Sequence, residues 1–352
     1  MGPSGMTPEQ NFCTMAPGIA ADTGPGIVFP LEFVHHSFIV PTIAGWRRRL
    51  MPLCVVGSVA LDCVETPTER RENLLGGSAV FFAYAASFFT TVRLAGVVGE
   101  DWPPEYTELL RSRGIDISAL QCIPGGKTFR WRGRYLPNMN ERETLDLQLN
   151  VLDNFQPVLP ESYRCAEVLF LANGSPKLQL QTLEQCPKAR LVVADTMDHY
   201  IRNERDGLLD LLRRIDGLVL NDSEAKLLAE DSNLIRAGDA LRRLGPKFVV
   251  IKKGEHGAIF FAPDGVFALP AYPTPHVVDP TGAGDSFAGG MLGYLAQCDR
   301  PKPNDFKLAL AYGILVAGFS VEDFSLERLR TITRADIENR LEEYRRMLHL
   351  SP

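Results

Sequence analysis

Five short, mostly apolar runs punctuate the chain, at residues 53–57 (LCVVG), 168–172 (VLFLA), 190–194 (RLVVA), 215–220 (IDGLVL) and 248–251 (FVVI). Runs of four to six such residues suit strands covered on both faces. Between the later runs, apolar residues recur at helical spacing over 178–185, 208–215, 223–229 and 234–244. Strand–helix alternation of this kind predicts an α/β fold in which a mostly parallel sheet lies between two layers of helices. Residues 80–89 (VFFAYAASFF) are apolar on all sides, as in a buried helix. Phe287, Met291, Leu292 and Leu295 form one helical stripe. Residues 105–113 read as a surface helix ended by Gly114, and 338–348 as a charged C-terminal helix. Residues 127–135 alternate, which puts Phe129, Trp131 and Tyr135 on one face of a strand and Arg130, Arg132 and Arg134 on the other. Residues 138–162 read only as polar.

Composition narrows the class. The chain has 352 residues, 45% apolar and 23% charged, as expected of a globular protein. A formal net charge of −6, with no basic stripe, argues against a nucleic-acid partner. The seven cysteines are scattered singly, without metal-ligand spacing, so reduced thiols in a cytoplasmic protein are expected. No run of 18 apolar residues exists, and no membrane partner is expected. Residues 1–26 are rich in Gly, Pro, Thr and Ala. Residues 27–44 are apolar but broken by Pro30, Glu32, His35, His36 and Pro41. Arg47, Arg48 and Arg49 follow that stretch, whereas a secretory leader has its basic residues first. The expectation is a disordered or loosely packed extension over 1–50, with Met51 as an alternative start, and one regular domain over 51–350.

The strongest chemical signal is Asp279-Pro280-Thr281-Gly282-Ala283-Gly284-Asp285-Ser286-Phe287-Ala288-Gly289-Gly290. It sets two glycines and an acid at a loop-to-helix junction. Gly282 and Gly284 let backbone approach a ligand, and the free N–H groups of a first helical turn suit an anion. Asp285 in that turn can be a helix-start residue favoured by the dipole, or a base beside an anion hole built from Gly282, Ala283 and Gly284.

The same stretch resembles the C-terminal signature of the ribokinase (PfkB) family of small-molecule kinases, and the resemblance covers residues 53–325. No GxxxxGK[ST] loop is present. The resemblance implies a ribokinase-like three-layer α/β/α domain with a small β lid near 61–75 and 122–136. It implies ATP and Mg2+ as cofactors, Asp285 as catalytic base and the Gly282–Ala283–Gly284 backbone as anion hole. Asp62 would bind substrate hydroxyls, for which a carboxylate is a suitable double acceptor. Gly76 and Gly77 resemble the family's N-terminal signature, but Phe81 stands where many sugar kinases of the family carry asparagine, which weighs against ribose.

Other residues follow from the resemblance and from strand ends. Asn173, Asp195, Asn221, Asp279 and Asp285 all fall near carboxyl ends of expected strands, where such folds bind ligands. Asn221 and Glu224 have capping-box spacing, and the family's Asn-x-x-Glu helps organise magnesium through water. Lys252, Lys253, Gly254 and Gly257 correspond to a turn along the nucleotide; strand phase decides which lysine points inward. Asp279, Thr281 and a carbonyl near Gly318 are candidates for a monovalent-cation loop, which would take K+. Residues 309–320 resemble the adenine-side wall.

The leading expectation is ATP-dependent phosphorylation of a hydroxyl on a small sugar-like alcohol. Trp131 and Tyr135 on an inward aromatic face of the lid favour a neutral substrate; the aromatic residues also leave open a nucleoside kinase. An inward basic face would instead suit a phosphorylated sugar. A homodimer through the lid is a further expectation. A non-catalytic sugar or nucleotide sensor is the reading from another class, and the intact Asp285, Glu224 and anion loop oppose it.

Overall fold

The computed structural model describes residues 51–349, so the expectation for the extension over 1–50 lies outside the described residues. Thirteen strands run through that part in chain order: β1 (Leu53–Val56), β2 (Ala60–Glu65), β3 (Arg70–Gly76), β4 (Val92–Gly99), β5 (Asp116–Ile123), β6 (Phe129–Tyr135), β7 (Arg142–Gln148), β8 (Val168–Leu171), β9 (Leu191–Asp195), β10 (Gly217–Asn221), β11 (Phe248–Lys252), β12 (Ala258–Ala262) and β13 (Gly265–Leu269). Nine of them form one sheet in the order β13-β12-β11-β10-β9-β8-β1-β4-β5. It is parallel from β5 to β11, and β12 and β13 close one edge as an antiparallel hairpin.

Both faces of this sheet are covered, and the period of two along each strand divides its side chains between two cores. Leu53, Val55, Phe170, Val193, Val219 and Val250 join one core with the helices Ser78–Ala86, Ala283–Leu295 and Pro303–Ser320. Cys54, Val56, Leu169, Leu171, Leu218 and Leu220 join the other, with Tyr163, Leu208 and Leu212. Chain order reverses at β1: the chain moves outward through β4 and β5, then returns to β8 on the other side. Such a switch point opens a crevice at the strand carboxyl ends.

The remaining strands form a separate four-stranded sheet, β3-β2-β6-β7. It differs from expectation in two places. Residues 120–123 extend β5 in the large sheet, so the second lid segment begins at Phe129 rather than near 122. The polar stretch after 138 contributes β7, an edge strand with all seven residues exposed. Its only apolar alternation is Leu145, Leu147 and, just past its end, Leu149, three exposed leucines set among polar residues, a short trace inside a stretch that reads as polar.

Helix Ala283–Leu295 lies against helix Ser78–Ala86 through glycine. A Cβ built on Gly289 would fall 2.4 Å from the Phe82 carbonyl oxygen, and one on Gly293 would fall 3.0 Å from Ala86 Cα. Gly289→Ala must therefore push the two helices apart. It is expected to destabilise the fold by about 1–3 kcal/mol, the usual range for overpacking. Urea unfolding of the variant against the natural chain measures this, and an unchanged midpoint would contradict the close contact.

Candidate active site

Three neighbouring parallel strands end on polar residues at the same edge: β9 on Asp195, β10 on Asn221 and β11 on Lys252. Asn221 and Lys252 are direct cross-strand partners. The helix carrying Asp285 in its first turn begins at this edge, with Gly282 as N-cap in the left-handed region at φ 73°. A Cβ on Gly282 would lie 2.3 Å from the Phe81 ring. Phe81 itself is 2% exposed, packed within the core. It supports the Gly282 turn, and the apolar ring at that position serves the loop's shape.

Lys252 settles the choice between the two lysines. Its Nζ lies 3.4 Å from Asp195 Oδ2. A Cβ on Gly284 would come within 2.9 Å of the same nitrogen, so a side chain there would displace the ammonium. Lys253 instead closes the turn, its N–H donating to the Gly257 carbonyl at 2.7 Å. Gly254 and Gly257 hold positive φ, 54° and 88°, and a Cβ on Gly257 would strike the Leu269 carbonyl at 2.1 Å. In the loop, the Ala283 N–H donates to the Pro280 carbonyl at 3.1 Å, and that of Ser286 to the Gly282 carbonyl at 2.8 Å. The N–H groups of Gly282 and Gly284 make no backbone hydrogen bond to the described residues.

Glu224 faces the same cluster. The capping box is fully formed: the Glu224 N–H donates to Asn221 Oδ1 and the Asn221 N–H to Glu224 Oε2, each at 2.8 Å. Burial followed by the Asp195 charge pushes the Glu224 carboxyl up to about 7, against the pull of Lys252. The same two causes, in the same order, push Asp285 up to about 7, opposed by Lys252 and Arg142. Burial also raises Asp195 itself, and Lys252 opposes that rise. For Lys252, burial disfavours the charge, but Asp195, Glu224 and Asp285 outweigh it and hold the ammonium above its ordinary value.

Asp62 approaches from the lid. Burial, then Asp279 and Asp285, push its carboxyl up to about 8, while the Gly77 backbone N–H pulls it down. A Cβ on Gly76 would overlap Asp62 Oδ2 at 2.0 Å, and Gly77 stands at φ 96°. Asp62 Oδ1 is buried without a protein partner, as is Asn173 Oδ1. Buried acceptors of this kind need a donor, from water or from a ligand. Asn173 Nδ2 donates to Met197 Sδ at 3.3 Å.

Asp279 organises the loop: Oδ1 accepts from the Thr281 N–H at 2.8 Å and Oδ2 from the Ser325 N–H at 3.3 Å. Gly318 has Tyr272, Thr274 and the Arg340 guanidinium beside it. Thr281 and Ser325 thus meet the Asp279 carboxylate, and the Asp279 N–H donates to the carbonyl of Val321, three residues past Gly318, at 3.3 Å. Ser325, which the sequence did not single out, also holds the lid through its hydroxyl on the Leu75 carbonyl. Among the described residues, no three His, Cys, Asp or Glu side chains converge as ligands of a metal.

The lid turns its aromatic face to the body. Tyr135 packs with Val64 and Phe324, with Trp131 against them, and the Tyr135 hydroxyl lies 3.1 Å from Thr281 Oγ1. Trp131 Nε1 donates to Thr144 Oγ1 at 3.2 Å. The alternate arginines are paired on the other face, Arg130 with Asp101 at 3.0 Å, and Arg132 and Arg134 with Glu65. The β6–β7 turn reaches the body too, where Asn140 Nδ2 donates to Glu255 Oε1 at 3.0 Å.

A three-layer α/β/α domain with a small second sheet and a carboxylate–lysine cluster at its strand ends is the ribokinase-like architecture. The chain belongs to the pfkB family of carbohydrate kinases, whose family profile matches residues 52–329. It is 33% identical over 268 residues to Cytidine kinase of Thermococcus kodakarensis, covering 71% of this chain and 93% of that protein. It is 27% identical over 291 residues to Nucleoside kinase of Methanothermobacter thermautotrophicus, covering 77% of this chain and 89% of that one. The fold matches the crystal structure of Methanocaldococcus jannaschii nucleoside kinase with a TM-score of 0.68 at 20% identity, over 83% of this chain and 98% of that one. It likewise matches Burkholderia thailandensis nucleoside kinase in complex with inosine, with a TM-score of 0.67 at 20% identity over 83% and 97%. The protein is accordingly an ATP-dependent phosphotransferase acting on a small sugar or nucleoside. No helix among the described residues is long and apolar enough to cross a membrane.

Lys252 lowers the carboxyls of Glu224 and Asp285 and opposes the rise at Asp195. Lys252→Met should therefore shift all three toward higher pH, leaving more of them protonated at neutrality. Carboxyl carbon NMR titration of the ligand-free protein measures this. Unchanged midpoints would mean that the ammonium does not control the cluster.

Proposed function

We propose that this kinase transfers the γ-phosphoryl group of ATP to a hydroxyl of a nucleoside, with a pyrimidine nucleoside such as cytidine as the first candidate. The carrying observation is the apolar lid patch. Leu147 on β7 is the cross-strand partner of Trp131 and shares its face, yet it stays 53% exposed. A bare sugar offers such a patch little, whereas a base can stack on the indole and cover the leucine. The likeness to proteins named Cytidine kinase and Nucleoside kinase supports the same choice. A phosphorylated sugar is disfavoured, because Arg130, Arg132 and Arg134 are turned away and held by Asp101 and Glu65.

In this scheme the open Asp62 Oδ1 accepts a sugar hydroxyl, with Gly76 and Gly77 as the close backbone beside it. Asn173 Oδ1 offers a second acceptor. Asp285 takes the proton from the attacking hydroxyl. The Gly282 and Gly284 N–H groups and Lys252 face the phosphoryl group in flight. Mg2+, when bound, neutralises the triphosphate, and Glu224 is the residue suited to hold one of its waters. A K+ ion stays in the scheme as an activator at the Asp279 loop, where the Val321 carbonyl, three residues past Gly318, accepts from the Asp279 N–H at 3.3 Å. Pairing with a second copy along β7 is included: that strand stands at the edge of the small sheet and exposes Leu145. A monomer in sedimentation equilibrium would remove it.

A coupled assay of ATP consumption across cytidine, uridine, inosine, ribose and fructose tests the substrate. The highest kcat/KM is expected with a nucleoside, and a free hexose in first place would sink the proposal. On that substrate Asp285→Asn should lose ~10²–10⁴-fold in kcat, as for removal of a general base. The base must be ionised to accept a proton. With Asp285 pushed up to about 7, kcat/KM should rise with pH up to that point and level off above it. A flat profile through that pH would argue against Asp285 as base.

A further inference from the structure

A cleft opens at the end of the large sheet opposite the carboxylate cluster. Strand β11 shows the separation: it begins at Phe248, which lines the cleft, and ends at Lys252. β10 does the same, running from Gly217, next to the lining residue Asp216, to Asn221. The β12–β13 hairpin and the first turns of helix Pro303–Ser320 complete the walls. A ligand held there would be a strand's length from Asp195, Glu224 and Asp285.

The floor of the cleft is aromatic. Phe248 and Phe260 are buried and stack with ring centres 5.3 Å apart, and Phe260 stacks on Phe267 at 4.7 Å. Phe306 packs on Phe248 and Phe260, at 5.4 and 5.3 Å. Phe267 and Phe306 are only half-buried, so ring surface stays open above a fixed base. The rim is charged, and its charges do not all cancel. Glu167 and Asp299 each lie 3.1 Å from Arg190, and Asp216 holds Lys247 at 2.7 Å. Arg300 and Lys307 also line the cleft and have no carboxylate partner among the described residues. Lys307 Nζ stands 5.7 Å from the centre of the Phe267 ring, near the outer reach of a cation–π contact, and is therefore loosely held. Asp264, in the hairpin turn, is the remaining acid of the cleft. Two unpaired cations against one carboxylate leave a positive surplus beside open aromatic surface.

We propose that this cleft is a second nucleotide site, separate from the site of phosphoryl transfer. The base lies against Phe267 and Phe306, and the phosphates meet Lys307 and Arg300. Ring and anion belong on one molecule. A bare anion would find only two solvated side chains, and a bare ring would leave both cations unused. Binding involves no covalent step. The proposal goes beyond the nucleoside-kinase reading and does not depend on it, because the cleft shares no residue with the carboxylate cluster or the Gly282–Gly284 loop.

Hydrogen exchange read by mass spectrometry on the full chain with ADP and Mg2+ locates binding along the sequence. ADP should slow exchange over residues 262–269 and 299–308 as well as over 279–290 at the phosphoryl loop. Lys307→Glu, at an exposed helix position, should abolish the first protection and keep the second. Phe267→Ala should weaken ADP at the cleft by about 5–100-fold, the range for loss of one base–aromatic contact. Lys177→Glu, exposed on helix Pro176–Gln185 and outside the cleft, is the control and should change neither. Adenosine alone and pyrophosphate alone should give no protection at the cleft at the concentration where ADP saturates it. No protection over 262–269 and 299–308 in the natural protein, or equal protection in Lys307→Glu, overturns the proposal. So does equal protection by adenosine, which would make the cleft an apolar ring site, or by pyrophosphate, which would make it an anion patch. Protection at the cleft with none over 279–290 would support this site and refute the reading of the phosphoryl loop instead, so the two failures are distinguishable.

Discussion

The structure depends on one buried ammonium among carboxylates. Lys252 stands against Asp195, and the charges of Glu224 and Asp285 reach the same nitrogen. Three acids crowded at a strand edge would repel one another, and burial adds to the penalty. Lys252 offsets part of it, yet Glu224 and Asp285 still sit near 7. The cluster is therefore poised to exchange protons near neutrality, and a cation entering with the triphosphate would stabilise its ionised form. Stability of the isolated fold is not what this arrangement favours. It favours a site whose charge is completed by ligand.

Such a cluster needs a frame that does not relax. The frame is the parallel sheet, whose strands are buried on both faces and end together on Asp195, Asn221 and Lys252. Glycine then brings the remaining groups close. Gly284 leaves room for the ammonium, Gly76 for the Asp62 carboxylate, and Gly289 for the helix that carries Asp285. The lid rests on this frame through Tyr135 on Thr281 and Asn140 on Glu255. The small sheet is thereby anchored both at the loop that opens helix Ala283–Leu295 and at the turn after β11.

Much of this was legible in the chain because the relevant patterns are strong. Fully apolar strand runs marked the sheet, and the loop from Asp279 to Gly290 marked the start of the helix bearing Asp285. Glu224 offered two meanings, a cap and a ligand-facing acid; the cap is formed and the carboxylate also faces the cluster. Where the sequence was silent, the cause is physical. Lys252 and Lys253 differ only in strand phase, which one residue of register decides. Phe81 sits in a helix apolar all round, so no stripe tells which ring meets the core and which the loop. β7 is exposed along its length, and its brief alternation of Leu145, Leu147 and Leu149 is lost among polar neighbours. Ser325 lies in no pattern that points to the Asp279 loop, yet the chain brings it to that carboxylate, beside the Val321 carbonyl three residues past Gly318.

The most direct test of phosphoryl transfer to a nucleoside is phosphorus NMR of the natural enzyme with ATP, Mg2+ and cytidine. The account predicts a new phosphomonoester resonance that grows in step with ADP, with no comparable signal when fructose replaces cytidine. ADP accompanied only by inorganic phosphate, or a phosphomonoester formed from fructose and not from any nucleoside, would contradict it.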